Sequence, residues 1–236
     1  MTNADLIDLN KLRVRRGAFC LDILKWQVAP GQVIGLVGPN GAGKTTLLEV
    51  LSGIRPKTSG EVRVFGYDPW RSPVKVRSSL GYMSDDMPLF ALSINKLLRL
   101  VSGYYPTWDE NLVEDLLERF SIDPRQKVGR LSKGQGTRIR LIVAMAFRPR
   151  VLLLDEPASG LDLAGRHALL ESVLDVVRDP ARTVIISSHM LQDVERISDR
   201  LLVLNKGGVV QEGITGDLIG EGRTLEEALV TWGAAG

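Results

Sequence analysis

The stretch Gly38–Thr45, GPNGAGKT, constrains this chain more than any other. A continuous apolar run, QVIGLVG, leads into it, the kind of strand that is buried on both faces of a parallel sheet. A helical segment follows and stops at Gly53. Strand, glycine-rich turn and helix N-terminus in that order make a cradle for phosphate. Gly38, Gly41 and Gly43 let backbone N–H groups close around phosphate oxygens where a Cβ would intrude. Lys44 supplies a point charge suited to the outer phosphates of a nucleoside triphosphate, and Thr45 a hydroxyl for Mg²⁺. Pro39, Asn40, Ala42 and Thr46 complete the candidate nucleotide-binding segment.

A triphosphate needs a metal, and the metal needs a carboxylate. The run VLLLDE places Asp155 and Glu156 at the C-terminal end of a second buried strand, where open α/β sheets bind ligands. Asp155 is the expected Mg²⁺ ligand. Glu156 is the expected general base that orients a water for attack on the γ-phosphorus. The segment NKGG at Asn205–Gly208 is close to a guanine-reading motif, but position 208 is Gly, so the base-reading carboxylate is absent and a hairpin turn explains it.

Along the chain, residues 6–30 read as two antiparallel strands joined at Gly17-Ala18, and GEVRVFGYDP as a further strand and turn. From about residue 84 to 147 helical periodicity takes over. TWDENLVEDLLERF puts Leu112, Val113, Leu116, Leu117 and Phe120 on one face, with Thr107 and Glu110 as an expected capping box. The alternation of strands and helices resumes with VLLLDEP, a helix over about 163–178, RTVIISS, a helix over 190–197, RLLVLN and VVQEG, and ends in an amphipathic helix, TLEEALVTW. This is an α/β chain: a mixed sheet with flanking helices, an N-terminal antiparallel β portion and an inserted helical portion. It reads as one domain over 1–236, with a core formed by about 6–83 and 148–236 and the helical subdomain by about 84–147.

Between phosphate loop and acid strand lies LSKGQ, Leu131–Gln135, which opens another helix. Ser132 and Gln135 form a capping box, and Gly134 and Gly136 leave the helix start bare, a second anion-binding geometry. The order GPNGAGKT, LSKGQ, LLLDEP, SGLD and then His189 resembles the ATP-binding-cassette (ABC) ATPases over about residues 6–232. LSKGQ is similar to that family's LSGGQ signature, with Lys133 for the first Gly. FGYDP and TLEEAL resemble its short exporter-type branch, and YYPTWDE the acetoin-utilisation or YtrB-like subgroup.

The resemblance implies ATP and Mg²⁺ as cofactors and a head-to-tail cassette dimer, in which Ser132, Gly134 and Gln135 of one chain close over the γ-phosphate held by Lys44 of the other. It implies that Ser159–Asp162 signals across the dimer and that His189 contacts the γ-phosphate and steadies Glu156, so that Glu156, His189 and Lys44 form the catalytic set. The partners implied are a second cassette, identical or different, and a separate integral membrane permease; no nucleic-acid partner is expected. Two positions depart from the pattern. Asp85, in GYMSDDMP, stands where the family has a Gln that touches Mg²⁺, so a metal role is expected for it, with Asp86 the alternative register. Where an aromatic ring stacks on adenine, the chain has Arg15 and Arg16, with Phe19 nearby.

The totals exclude other classes. A net charge of +2 gives no footprint for nucleic acid, and a single cysteine excludes an internal disulfide framework. No apolar run reaches the roughly 18–20 residues of a membrane helix, and the acidic opening MTNADLIDLN lacks a signal pattern. The expected location is cytoplasmic, on the inner face of the membrane through the permease. The resulting expectation is the ATP-hydrolysing subunit of an ABC transporter, most simply an exporter. The alternative is a soluble ABC ATPase that does not transport, such as an assembly factor.

Overall fold

The computed structural model describes residues 5–233. The outer ends of the expected 1–236 domain, including the opening MTNA, lie outside the described residues. An antiparallel hairpin comes first, β1 (Ile7–Arg16) and β2 (Phe19–Val28), followed by β3 (Val33–Val37), α1 (Lys44–Leu51) and β4 (Ser59–Val64). Then come α2 (Pro73–Arg77), β5 (Leu80–Ser84), α3 (Ile94–Ser102), α4 (Glu110–Arg119) and α5 (Lys133–Met145). The chain continues through β6 (Val151–Asp155), α6 (Leu163–Val177), β7 (Thr183–Ser187), α7 (Leu191–Ile197), β8 (Arg200–Asn205), β9 (Gly208–Ile214), α8 (Thr215–Ile219) and α9 (Leu225–Thr231). Between β5 and β6 the backbone forms helices, turns and one isolated bridge, Ser93 to Lys127.

The strands make one sheet in the order β4-β1-β2-β9-β8-β3-β7-β6-β5. It is mixed: β8, β3, β7, β6 and β5 run parallel, while β4, β1 and β2 pair antiparallel, as do β8 and β9. The central parallel strands β3, β6 and β7 are buried at every position because both of their faces are covered, and they are apolar apart from Asp155, Thr183 and Ser187. Side chains alternate across the pleat. Leu153 of β6 and Ile185 of β7 join Leu47, Leu48 and Leu51 of α1, which lies against Leu9 and Leu21 of the hairpin. Leu152, Leu154 and Ile186 face the other way, onto Ile139 and Ile142 of α5 and Leu169 and Val173 of α6. Each fully buried leucine contributes about 1.5–3 kcal/mol of transfer free energy. These two layers fix α1 and α5, the two helices whose N-termini carry the sequence motifs, on opposite faces of the same strands.

One local expectation is corrected. Thr107 and Glu110 do not cap α4. Asp109 is the N-cap, accepting the Leu112 N–H at 3.0 Å, and the Thr107 hydroxyl donates to the Phe147 carbonyl at 2.7 Å. The carboxylate at the later position reaches the third helical N–H directly, and the threonine is drawn to the end of the α5 segment instead. The short helices α2 and α8 also form where the periodicity gave no signal. Pro73 at the first turn of α2 and a length of five residues each explain why.

Candidate nucleotide site

Register brings the site together. Leu36 of β3 pairs with Ser187 of β7, and Ser187 pairs with Asp155 of β6, so three parallel strands end side by side. The loop after β3, the carboxylates after β6 and the turn after β7 therefore share one end of the sheet. A cleft of about 580 Å³ opens there, lined by Arg16, Phe19, Asn40 to Thr46, Asp155 and Glu156.

The loop is built for an anion. Gly38 has φ +144°, and a Cβ there would lie 2.0 Å from the Leu204 carbonyl oxygen. Gly43 has φ +111°, and a Cβ would strike Leu21 and the Phe19 ring. Only glycine fits at either position. Lys44 is 8% exposed, and its Nζ donates to the carbonyls of Gly38 at 2.6 Å and Pro39 at 3.3 Å. Burial lowers its pKa below the ordinary lysine value, while the charges of Glu156 and Asp155 act in the opposite sense. A phosphate beside Lys44 would offset the burial cost of its charge.

The acidic wall is held by a serine. Asp155 is 6% exposed, and its Oδ1 accepts the Ser187 hydroxyl at 2.6 Å. The Glu156 N–H points at both the Ser187 carbonyl and the Ser187 Oγ, each at 3.1 Å. Glu156 itself has φ +51°, a left-handed conformation that costs a non-glycine residue free energy and occurs where surrounding contacts impose it. The strained turn is closed by the Ser159 N–H, which donates to the Glu156 carbonyl at 3.1 Å. His189 reaches across from the β7 side. Its Nδ1 lies 2.6 Å from Glu156 Oε2, and its backbone N–H donates to the same oxygen at 3.1 Å. With Glu156 ionised, Nδ1 carries the proton and the carboxylate is held by two donors from one residue.

The oxygen donors suit Mg²⁺ bound with a phosphate rather than a metal bound by protein alone. Thr45 and Asp155 line the cleft together, and no group of three or more His, Cys, Asp or Glu side chains with metal-binding proximity exists among the described residues. Mg²⁺ commonly takes one or two protein oxygens and fills its octahedron with phosphate and water. The fit is therefore to a metal–nucleotide complex.

The signature segment does not line this cleft. Ser132 and Gln135 form the expected capping box on α5: Gln135 N–H donates to Ser132 Oγ at 3.2 Å, and Ser132 N–H to Gln135 Oε1 at 3.0 Å. Ser132 lines a separate cleft of about 350 Å³ with Lys133, Gly136, Arg140, Leu89 and Asp85. Gly134 packs so closely on the loop after β6 that a Cβ would come 2.6 Å from the Gly160 carbonyl. Asp85 is thus grouped with the signature segment and not with Thr45 and Asp155. Ser84, the residue before it, is the one whose register partner is Asp155. In the SGLD segment, Asp162 caps α6 by accepting the Gly165 N–H at 3.0 Å, which holds its carboxyl below the usual range. Of the arginines expected near the base, Arg16 lines the cleft with Phe19, whereas the Arg15 backbone N–H donates to Thr58 Oγ1, directly before β4.

Ser187 is a site residue that sequence reasoning missed. The available signal was a hydroxyl ending an apolar strand two residues before His189, in the run VIISSH.

The family profile described as ABC transporter matches residues 21–159. A solved structure described as the ATP binding subunit of an ABC transporter superposes with a TM-score of 0.88 at 26% identity, covering 97% of this chain and 99% of that one. The ABC transporter ATP-binding protein YtrB of Bacillus subtilis (strain 168) is 32% identical over 175 residues, 74% of this chain and 60% of its own length. The Nod factor export ATP-binding protein I of Rhizobium etli is 31% identical over 227 residues, 94% of this chain and 71% of its own. The chain belongs to the ATP-binding proteins of the ABC transporter family, a family of ATPases that bind ATP. It spans about 60% of the length of YtrB. Among the described residues no helix is long and apolar enough to cross a membrane.

Proposed function

We propose that this chain binds Mg-ATP at Lys44, hydrolyses it to ADP and phosphate, and works as the energy-coupling subunit of an ABC exporter. The observation that carries the catalytic part is the Glu156–His189 pair beside the phosphate loop, a carboxylate fixed by two donors at the edge of a cleft that holds Lys44 and Asp155. Lys44 and the N–H groups of Gly41 to Thr46 hold the triphosphate. Arg16 and Phe19 are the candidates for the base. Thr45 and Asp155 would hold Mg²⁺, which when bound neutralises charge on the outer phosphates. Glu156 takes the proton of the attacking water, and His189 keeps its carboxylate aimed.

One observation supports a dimer. Ser132, Gly134 and Gln135 form a capped helix start that does not line the chain's own cleft, and the closing of a second cassette over the nucleotide would give that segment a ligand. The second cassette is another copy of this chain or a different one. The likeness to a solved structure described as the ATP binding subunit of an ABC transporter supports a separate permease, with this subunit on the cytoplasmic face. The export direction is supported by the export protein among the relatives. The test is phosphate release by the purified chain with Mg-ATP, compared with Glu156→Gln, together with recovery of a membrane protein when the chain is isolated from detergent-solubilised membranes. Release that survives Glu156→Gln contradicts the assignment of the base. Isolation without any membrane protein favours the soluble assembly-factor alternative.

A further inference from the structure

Two of the positions that depart from the family pattern, Asp85 and Lys133, face each other. Lys133 Nζ lies 2.8 Å from Asp85 Oδ2 and donates to Ser159 Oγ at 3.1 Å. The Ser159 hydroxyl is itself 3.5 Å from Asp85 Oδ2. Asp85 Oδ1 accepts from the Thr137 hydroxyl at 3.4 Å and faces Arg140 Nη1 at 3.9 Å. Thr137 also reaches the Ser159 carbonyl at 3.3 Å. Lys133, Thr137 and Arg140 lie four and three residues apart on α5, so one face of that helix presents all three donors to one carboxylate.

We propose that Asp85 and Lys133 are positioning residues: a charged clasp that fixes the start of α5 and the loop after Glu156 relative to the end of β5. The path is short. Asp85 directly follows β5, whose last residue, Ser84, pairs with Asp155. Ser159, held by the Lys133 ammonium, closes the strained Glu156 turn through its N–H. The clasp therefore ties the signature segment to the turn that aims the base, and it assigns Asp85 to Lys133 instead of to Mg²⁺. A glycine at position 133 would leave the Asp85 carboxylate without its nearest cation, and a glutamine at 85 would leave the lysine without its anion. The paired departures are chemically matched. The side chain of Asp85 is 27% exposed and that of Lys133 is 62% exposed, so the pair is moderate in strength and sensitive to salt.

The purpose of the clasp rests on the ATPase reading above, and the test separates the two. ATP turnover is measured for Asp85→Asn, Lys133→Gln, Lys133→Arg and the Asn–Gln double variant, over ranges of ATP, Mg²⁺ and salt. Each neutral single variant should lower kcat about fivefold, with the KM for ATP within about twofold. The double variant should be no slower than the slower single, Lys133→Arg should keep wild-type kcat, and the salt dependence of wild-type kcat should flatten in Lys133→Gln. Independent, multiplying effects in the double variant overturn the clasp. So does an Asp85→Asn variant that needs more Mg²⁺ while Lys133→Gln behaves as wild type, which would return Asp85 to the metal. Should Asp85→Asn fail to fold, the exposed Lys133 variants alone decide, through kcat and its salt dependence. A wild-type chain without turnover removes the ATPase reading and the clasp's purpose with it.

Discussion

Ser187→Ala removes a single, fully buried hydroxyl that bonds the Asp155 carboxylate and the Glu156 backbone N–H. Its Oγ donates to Asp155 Oδ1 at 2.6 Å, inside a strand end where Asp155 is only 6% exposed. A hydrogen bond to a charged group contributes about 1.5–3 kcal/mol, and the group left behind has little access to water to replace it. The Glu156 N–H loses one acceptor but keeps the Ser187 carbonyl at 3.1 Å, so that half of the interaction costs less. The net loss of stability is about 2 kcal/mol. For a chain of this size that lowers the thermal midpoint by about 4–8 °C. The functional effect is on the metal. With Asp155 no longer held by Ser187, half-maximal turnover should need more Mg²⁺, while ATP binding without metal is unchanged. Calorimetry gives the stability, and a Mg²⁺ titration of phosphate release gives the second effect. A cycle with Asp155→Asn isolates the pair. A midpoint within about 1 °C of wild type, or a cycle without coupling, would refute the argument that Ser187 organises the acidic wall.

His189→Ala removes the Nδ1 donor but keeps a backbone N–H on Glu156; turnover should fall by less than the ~10²–10⁴-fold expected for Glu156→Gln, with ATP affinity nearly unchanged, as single-turnover kinetics and equilibrium binding would show. The lowered pKa of Lys44 makes phosphate binding take up a proton in part at alkaline pH. ATP affinity should therefore fall as pH rises, beginning below the pH at which an ordinary lysine titrates, and binding calorimetry in buffers of different ionisation enthalpy should detect the uptake; Lys44→Arg should abolish this limb even where it weakens binding. The same shift bears on stability. A lysine whose folded pKa is below its unfolded value penalises the folded state while both forms are charged, so the ligand-free chain should gain stability as pH rises from the lowered value toward 10.5, measurable as a rising thermal midpoint.

Much of this fold is legible because its strands are extreme. QVIGLVG, VLLLD and TVIIS are apolar on both faces, which parallel pairing between helix layers alone satisfies. The hairpin is legible from its alternation, and α5 from the capping box at Ser132. The start of α4 is less so, because Thr107 and Asp109 both suit a cap, and tertiary contact with Phe147 decides between them. At the site, Gly38, Gly41 and Gly43 carry their own signal, since a side chain is strained at their positive φ, and Lys44 carries its own as the cation at the start of α1. Ser187 carries almost none, because its role depends on strand register, which places β7 next to β6. The Asp85–Lys133 pair lies beyond reach for the same reason. Each residue reads singly as a departure, and the packing of α5 against the end of β5 makes them partners.

The central claim is that ATP held by Lys44 in one chain is closed over by Ser132 and Gly134 of another. The most direct test is the solution mass of Glu156→Gln with and without Mg-ATP, the substitution serving to hold ATP before hydrolysis. The account predicts a monomer that becomes a dimer with Mg-ATP, and that returns to monomer when Ser132 is replaced by Arg. A chain that binds ATP and stays monomeric would contradict closure between two copies and leave a different cassette as the missing half.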